Sequence, residues 1–207
     1  MRILPATPEG IETALAALVD GKTVMHATET CYGFACDLSN PKAVERLFTI
    51  KQRSFEQPVS ALFPSIEEAK KYVEWNDRAE KLAQEFLPGR LMIVLLMSKN
   101  PPHVLYPTPD SRSHDPTTHH SPSPTLGVRV SSHPLASELV TRFGRPISTT
   151  SANLHGKPSP YSIKEIMEQY KDAPLKPDLI LDFGALPLRK TSRIVDCTGT
   201  SETILRS

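Results

Sequence analysis

Strand-like runs and capped, helix-like segments alternate along the chain, and that alternation restricts it to an α/β fold. The clearest strand is 91–97, an unbroken apolar run behind the Pro88-Gly89 turn. Residues 23–26, 59–63, 126–130, 147–150, 179–181 and 194–195 read as further strands. Helix starts lie between them. Thr7 precedes Pro8-Glu9, Asn40 precedes Pro41, and Asn76 opens a helix running to Phe86. Ser65 with Glu68 and Ser162 with Glu165 have capping-box spacing, and 134–143 reads as one more helix. Ile11, Leu15 and Leu18 share a face of the first helix; Val44, Leu47 and Phe48 share a face of the second.

A chain of 207 residues fits one domain over 1–207. Lys and Arg number 24 against 23 Asp and Glu, a net charge of +1, which lacks the basic excess of a dedicated nucleic-acid binder. No apolar run approaches the roughly 20 residues that span a membrane, and Pro5, Pro8, Glu9 and Glu12 interrupt any signal-peptide pattern. Three cysteines, Cys31, Cys36 and Cys197, read as reduced thiols of a cytoplasmic protein. Residues 107–124 hold no Val, Ile, Leu, Phe or Met and are rich in Pro, Ser, Thr and His. Such a segment buries too little apolar surface to offset its ordering entropy, so a flexible insertion is expected there. His114, His119 and His120 fall inside it without a cysteine partner at zinc spacing, so no metal site is expected.

Glycine loops of the G-x-G-x-x-G or G-x-x-x-x-G-K-[ST] type are missing among the nine glycines. Phosphate binding would therefore rest on side-chain cations and hydroxyls. Lys51 and Arg53, at the end of the second helix, could converge on one anion. Two solvated charges after a helix are the plainer reading of that tripeptide. Ser151-Ala152-Asn153 leaves a strand end, where α/β sheets place ligands, although Ser and Asn also serve ordinary turns. Thr28-Glu29-Thr30 leaves another strand end. Its hydroxyls could bond a small polar ligand and Glu29 could orient an amine.

Taken together, Thr28-Glu29-Thr30-Cys31-Tyr32-Gly33, then Lys51-Gln52-Arg53, then Ser151-Ala152-Asn153 resemble the YrdC/TsaC family of threonylcarbamoyl-AMP synthases. Val128-Arg129-Val130, Gly156-Lys157-Pro158, Ser192 through Asp196 and the closing Ile204-Leu205-Arg206 extend the likeness over nearly the whole chain. The resemblance implies a YrdC-like twisted mixed sheet flanked by helices, with a large concave ligand site. It implies an enzyme, a nucleotidyltransferase that joins L-threonine, bicarbonate and ATP into L-threonylcarbamoyladenylate and pyrophosphate, for modification of tRNA position 37. Carried over by motif, Thr30, Arg129, Ser151 and Ser192 hold L-threonine, with Arg129 gripping its carboxylate on two prongs. Lys51, Arg53, Gln57, Thr125, Asn153, Tyr161 and Arg206 bind ATP. Lys51 and Arg53 carry the catalytic charge stabilisation on the phosphates. Mg2+ would arrive with ATP. The implied partners are a downstream threonylcarbamoyl transferase complex and, through a weak contact, tRNA.

Arg90, Met92, His155 and Arg193 depart from the family pattern, and Leu62 stands where longer relatives carry a histidine that contacts threonine. A sibling of the YciO type, or an RNA-binding module that uses the concave face, shares the fold without the synthase chemistry. The intact Lys51-Gln52-Arg53 and Ser151-Ala152-Asn153 favour the synthase.

Overall fold

Every helix of the described residues begins on a side chain that accepts from its first turn, so the capping chemistry fixes where the chain turns helical. The computed structural model describes residues 1–54, 59–106 and 124–207. Thr7 caps α1 (Pro8–Val19), Asn40 caps α2 (Pro41–Lys51) and Asn76 caps α4 (Asp77–Phe86). Ser162 and Glu165 form the complete reciprocal box at α6 (Ile163–Gln169). At α3 (Ile66–Lys70), Ser65 accepts from the Glu68 amide, but the Glu68 carboxylate turns to Lys71 instead of back to the cap. The cap of α5 (Pro134–Phe143) is the imidazole of His133, which accepts from Leu135 N at 3.3 Å.

The strands, in chain order, are β1 (Arg2–Pro5), β2 (Val24–Ala27), β3 (Tyr32–Ala35), β4 (Ser60–Leu62), β5 (Leu91–Leu96), β6 (Thr125–Arg129), β7 (Ile147–Ser148), β8 (Thr150–Ser151), β9 (Leu179–Asp182), β10 (Arg193–Asp196) and β11 (Thr203–Arg206). They form two mixed sheets, of order β1-β9-β2-β3-β8 and β11-β10-β5-β6-β4-β7. The expected mixed-sheet architecture flanked by helices is there, built as two sheets. The division falls within 147–151, of which 147–150 reads from sequence as one strand. Ile147 and Ser148 pair with Leu62 and Ala61 of the second sheet, whereas Thr150 and Ser151 pair with Phe34 and Gly33 of the first. Thr149 joins them, its amide donating to Ser60 O at 2.9 Å. One five-residue segment therefore stitches an edge of each sheet together.

β3 begins within the Thr28–Gly33 motif, so Tyr32 and Gly33 are strand residues. A Cβ at Gly33 would crowd Thr28 Cγ2 at 3.0 Å, so the strand approaches the Thr28 side chain closely there. β1 and β11 are sheet edges that the sequence does not announce, since β1 ends on a proline and all of β11 is exposed. Helices α1 and α5 pack on one another and against β2. A shared core that includes Leu18, Tyr32, Phe34, Phe48, Phe63 and Ile93 fills the interior. Among the described residues no helix is long and apolar enough to cross a membrane, and all three cysteines are buried free thiols.

Candidate active site

A cavity of about 440 Å³ draws its walls from both sheets, which is a typical size for a small-molecule site. Thr30, Arg53, Thr125, Arg129, Ser151, Ser192 and Arg206 all line it. Seven of the predicted residues, drawn from positions 30 to 206, thus meet at one place. Lys51, Asn153 and Tyr161 are not in its wall, and Gln57 and the 107–123 stretch of the insertion lie outside the described residues.

Arg129, the last residue of β6, is the most constrained of these groups. It is 8% exposed, and its Nη2 donates to Glu29 Oε1 at 2.6 Å and to Thr30 Oγ1 at 3.2 Å. Ser131 Oγ donates to the other Glu29 oxygen. Burial pushes the Glu29 carboxyl up, but the charge and hydrogen bond of Arg129, with Ser131, more than offset it. The net effect is a carboxyl below its usual range. Glu29 is thus an anion held by Arg129 and Ser131, and the expectation that it orients a substrate amine gives way to that pairing. Arg129 Nε and Ser192 Oγ are both buried without a hydrogen-bond partner among the described residues. Burying such groups costs about 1–3 kcal/mol each unless something bonds them. Both belong to residues of the cavity wall, where a polar ligand would satisfy them.

Lys51 behaves differently from the expected phosphate cation. It is the last residue of α2, not a loop residue, and Gln52 after it takes the left-handed conformation that ends the helix. The residue is 3% exposed, and its ammonium donates to the carbonyl oxygens of Ser151 and of Asn153, the latter at 2.7 Å. The Lys51 carbonyl accepts from His155 N at 2.9 Å. Lys51 therefore clamps the Ser151–His155 segment from both its ends. Burial, and then the charge of Arg53, pull the Lys51 ammonium down to about 7. Ser151 Oγ donates to Asn153 Oδ1, and Asn153 Nδ2 donates to Lys157 O at 2.5 Å, so the asparagine side chain is held within its own turn.

At the rim, Arg206 Nε donates to Ser192 O at 2.9 Å. Although the residue as a whole is exposed, partial burial first, and the charge of Arg129 second, hold this guanidinium below its usual value. Two cations that disfavour each other in one cavity favour an anion between them. Tyr161 instead donates its hydroxyl to Arg189 O at 2.9 Å. Of the departures from the family pattern, Met92 lines the cavity. Arg193 turns its guanidinium over Phe86 at 5.9 Å, His155 is exposed, and Leu62 is buried in β4.

Sequence reasoning missed Ser60, Gly127 and Asp196 of the wall. Gly127 carried a signal, because a glycine inside a strand marks close approach. A Cβ there would meet Met92 Sδ and Ser60 Oγ, each at 3.0 Å. Asp196 lay within the Ser192–Asp196 match without a role assigned to it, and Ser60 carried no signal, since only strand register brings it in.

The profile of the Sua5/YciO/YrdC family, described as "Telomere recombination", matches residues 16–207. A threonylcarbamoyl-AMP synthase of Pseudoalteromonas translucida is 32% identical over 167 residues, covering 78% of this chain and 81% of that protein. The structure of Pyrococcus abyssi Sua5 complexed with L-threonine superposes with a TM-score of 0.81 at 30% identity. That match covers 99% of this chain but 56% of the other, so the chain spans little more than half of that relative. Escherichia coli YciO shares the fold, with a TM-score of 0.79 at 23% identity over 99% of this chain and 93% of its own. With a profile match over nearly all its length and a fold shared with these relatives, the chain belongs to the Sua5/YciO/YrdC family.

Proposed function

We propose that this protein is a threonylcarbamoyl-AMP synthase, forming L-threonylcarbamoyladenylate and pyrophosphate from L-threonine, bicarbonate and ATP. The observation that carries the reading is the pair of buried, unpartnered donors, Arg129 Nε and Ser192 Oγ, in the wall of one cavity. They suit a carboxylate and a polar neighbour, and Thr30 and Ser151 place two more hydroxyls beside them. Because Arg129 Nη2 already serves Glu29 and Thr30, a two-pronged grip on the ligand carboxylate uses Nε and displaces the longer bond to Thr30.

In the proposed reaction the threonine amine and bicarbonate give N-carboxythreonine and water. The new carboxylate attacks the α-phosphorus of ATP, the bond to the bridging oxygen breaks, and pyrophosphate leaves. Arg53, Arg206 and Thr125 serve the nucleotide from the wall. Lys51 and Asn153 serve it by holding the Ser151–Asn153 turn, and Gln57 and Tyr161 complete the nucleotide set proposed from the motifs. No covalent enzyme intermediate is required, so positioning and charge stabilisation supply the rate. Among the described residues no cluster of three or more His, Cys, Asp or Glu side chains could hold a metal, and Mg2+ enters as part of the MgATP substrate, keeping much of its water. The product, a reactive acyl-adenylate analogue, passes to a transferase complex that modifies tRNA, with at most a weak direct tRNA contact and a cytoplasmic setting.

Pyrophosphate release from MgATP tests the reading, run with and without bicarbonate and with threonine, serine or valine. Release should need both threonine and bicarbonate. Valine carries a methyl where threonine has its hydroxyl and should support less than about a hundredth of the threonine rate, since a hydroxyl-binding site left unpaired rejects such analogues strongly. Folded protein that releases no pyrophosphate with threonine would send the assignment to the YciO-like or RNA-binding alternatives.

A further inference from the structure

We infer that Glu29, which does not line the cavity, is the positioning residue that sets threonine affinity by fixing the guanidinium of Arg129, with Ser131 as the second tie. The inference rests on the synthase reading and adds a residue that the motif transfer leaves without a role. It follows from how the donors are shared out. An arginine has five N–H donors. Both hydrogens of Nη2 are taken, one by Glu29 Oε1 at 2.6 Å and one by Thr30 Oγ1 at 3.2 Å. That leaves the two hydrogens of Nη1 and the single one of Nε, and of these Nε is buried and unpartnered. The plane of the guanidinium is thereby set from behind, and Nε is kept for whatever enters the cavity.

Glu29 can do this because it is itself fixed. Its second oxygen accepts from Ser131 Oγ, and that hydroxyl accepts in turn from His133 N at 3.1 Å, at the start of α5. The chain of bonds runs from a helix N-terminus, through a hydroxyl and a carboxylate, to the guanidinium. The Arg129 and Glu29 side chains are 9% and 6% exposed, so water does not compete with these bonds. Two histidines lie close enough to feel the charges. Burial keeps His26 neutral, its Nδ1 bonded to Ala27 O at 3.0 Å, and burial also lowers His133. Neither competes with Arg129 for the carboxylate at neutral pH. A buried ion pair is weak evidence for stability; one whose cation keeps a free donor toward a cavity is better explained by preorganisation.

The test compares wild type with Glu29→Gln and Ser131→Ala, measuring threonine and ATP binding separately by calorimetry, then threonine KM and kcat. Glu29→Gln keeps the shape but loses the charge. It should weaken threonine binding about 10- to 100-fold, with ATP affinity within about twofold and kcat at saturating threonine within about threefold, the scale expected for misplacing a holding group. Ser131→Ala removes one tie only and should weaken threonine about 3- to 10-fold. Folded variants that bind threonine as wild type does, or that lose ATP affinity in step with threonine, overturn the inference, the second because it marks general loosening. If Glu29→Gln does not fold, Ser131→Ala decides alone. A wild type that binds no threonine overturns the synthase reading and this inference with it; a wild type that binds threonine, with both variants equal to it, overturns this inference only.

Discussion

Inside the cavity Arg129 is buried and bonded to a carboxylate, whereas at its rim Arg206 is exposed and bonded to a backbone carbonyl. Both belong to strand ends, both face the same space, and both are arginine. The inner cation is held by side chains that are themselves held, so its geometry is set before a ligand arrives. The outer cation sits on the edge strand β11 and can shift with little loss. An inner wall of this kind suits a small ligand that must be told from close analogues. A rim of the outer kind suits the charged, flexible end of a larger one. Lys51 belongs with neither group: it is as buried as Arg129, yet it serves the backbone of the Ser151–Asn153 turn.

The largest effect that would sharpen this contrast is on stability at the inner wall. Arg129→Met or Glu29→Met alone should cost about 3–5 kcal/mol, because each leaves an uncompensated buried charge, while the double variant should cost clearly less than the sum. Urea denaturation at pH 7 gives all three values. Singles that each cost under about 1 kcal/mol would mean that the pair behaves like a surface bridge, and the contrast with Arg206 would collapse.

An intermediate effect belongs to Lys51, and it carries a pH signature. In the fold its ammonium is pulled down to about 7, by burial first and Arg53 second; in the unfolded chain it titrates near 10.4. Between those values the unfolded state binds more protons. Stability contributed by this group therefore rises with pH from about 7 to about 10, by up to about 1.4 kcal/mol per unit. Lys51→Met should remove that rise and should also destabilise, by about 2 kcal/mol at pH 7, through the carbonyls left without donors. Arg53→Ala should lose pyrophosphate release with stability unchanged. Equal behaviour of the two variants, both folded and both inactive, would return Lys51 to the role of a simple phosphate cation.

These outcomes also show what the sequence could reveal. The α/β class and the helix starts at Thr7, Asn40, Asn76 and Ser162 were legible because capping and apolar periodicity are local. Seven residues of the cavity wall were legible through motif resemblance. What Lys51 and Glu29 bond to was not, because the partners lie about 100 residues away and depend on strand register. The division into two sheets was hidden for a similar reason: residues 147–150 read as one strand, and only their two sets of partners separate them. Strand β11, wholly exposed, has no buried face to leave a pattern.

The smallest effect is expected at Arg206, and it tests the other half of the contrast. Its side chain is exposed and its visible bond is to the Ser192 carbonyl. Arg206→Ala should therefore leave stability within about 0.5 kcal/mol of wild type, as surface substitutions do. Its contribution is electrostatic and partly screened, so ATP affinity should fall only about 3- to 10-fold, and by less as salt is raised. Threonine affinity should not move, because Arg129 keeps its own partners. Without the guanidinium the Ser192 carbonyl is open to water entering the space it vacates, while Ser192 Oγ is buried. Loss of threonine binding in Arg206→Ala would mean that the bond to Ser192 O holds that hydroxyl in place, and the rim would then be part of the rigid inner wall.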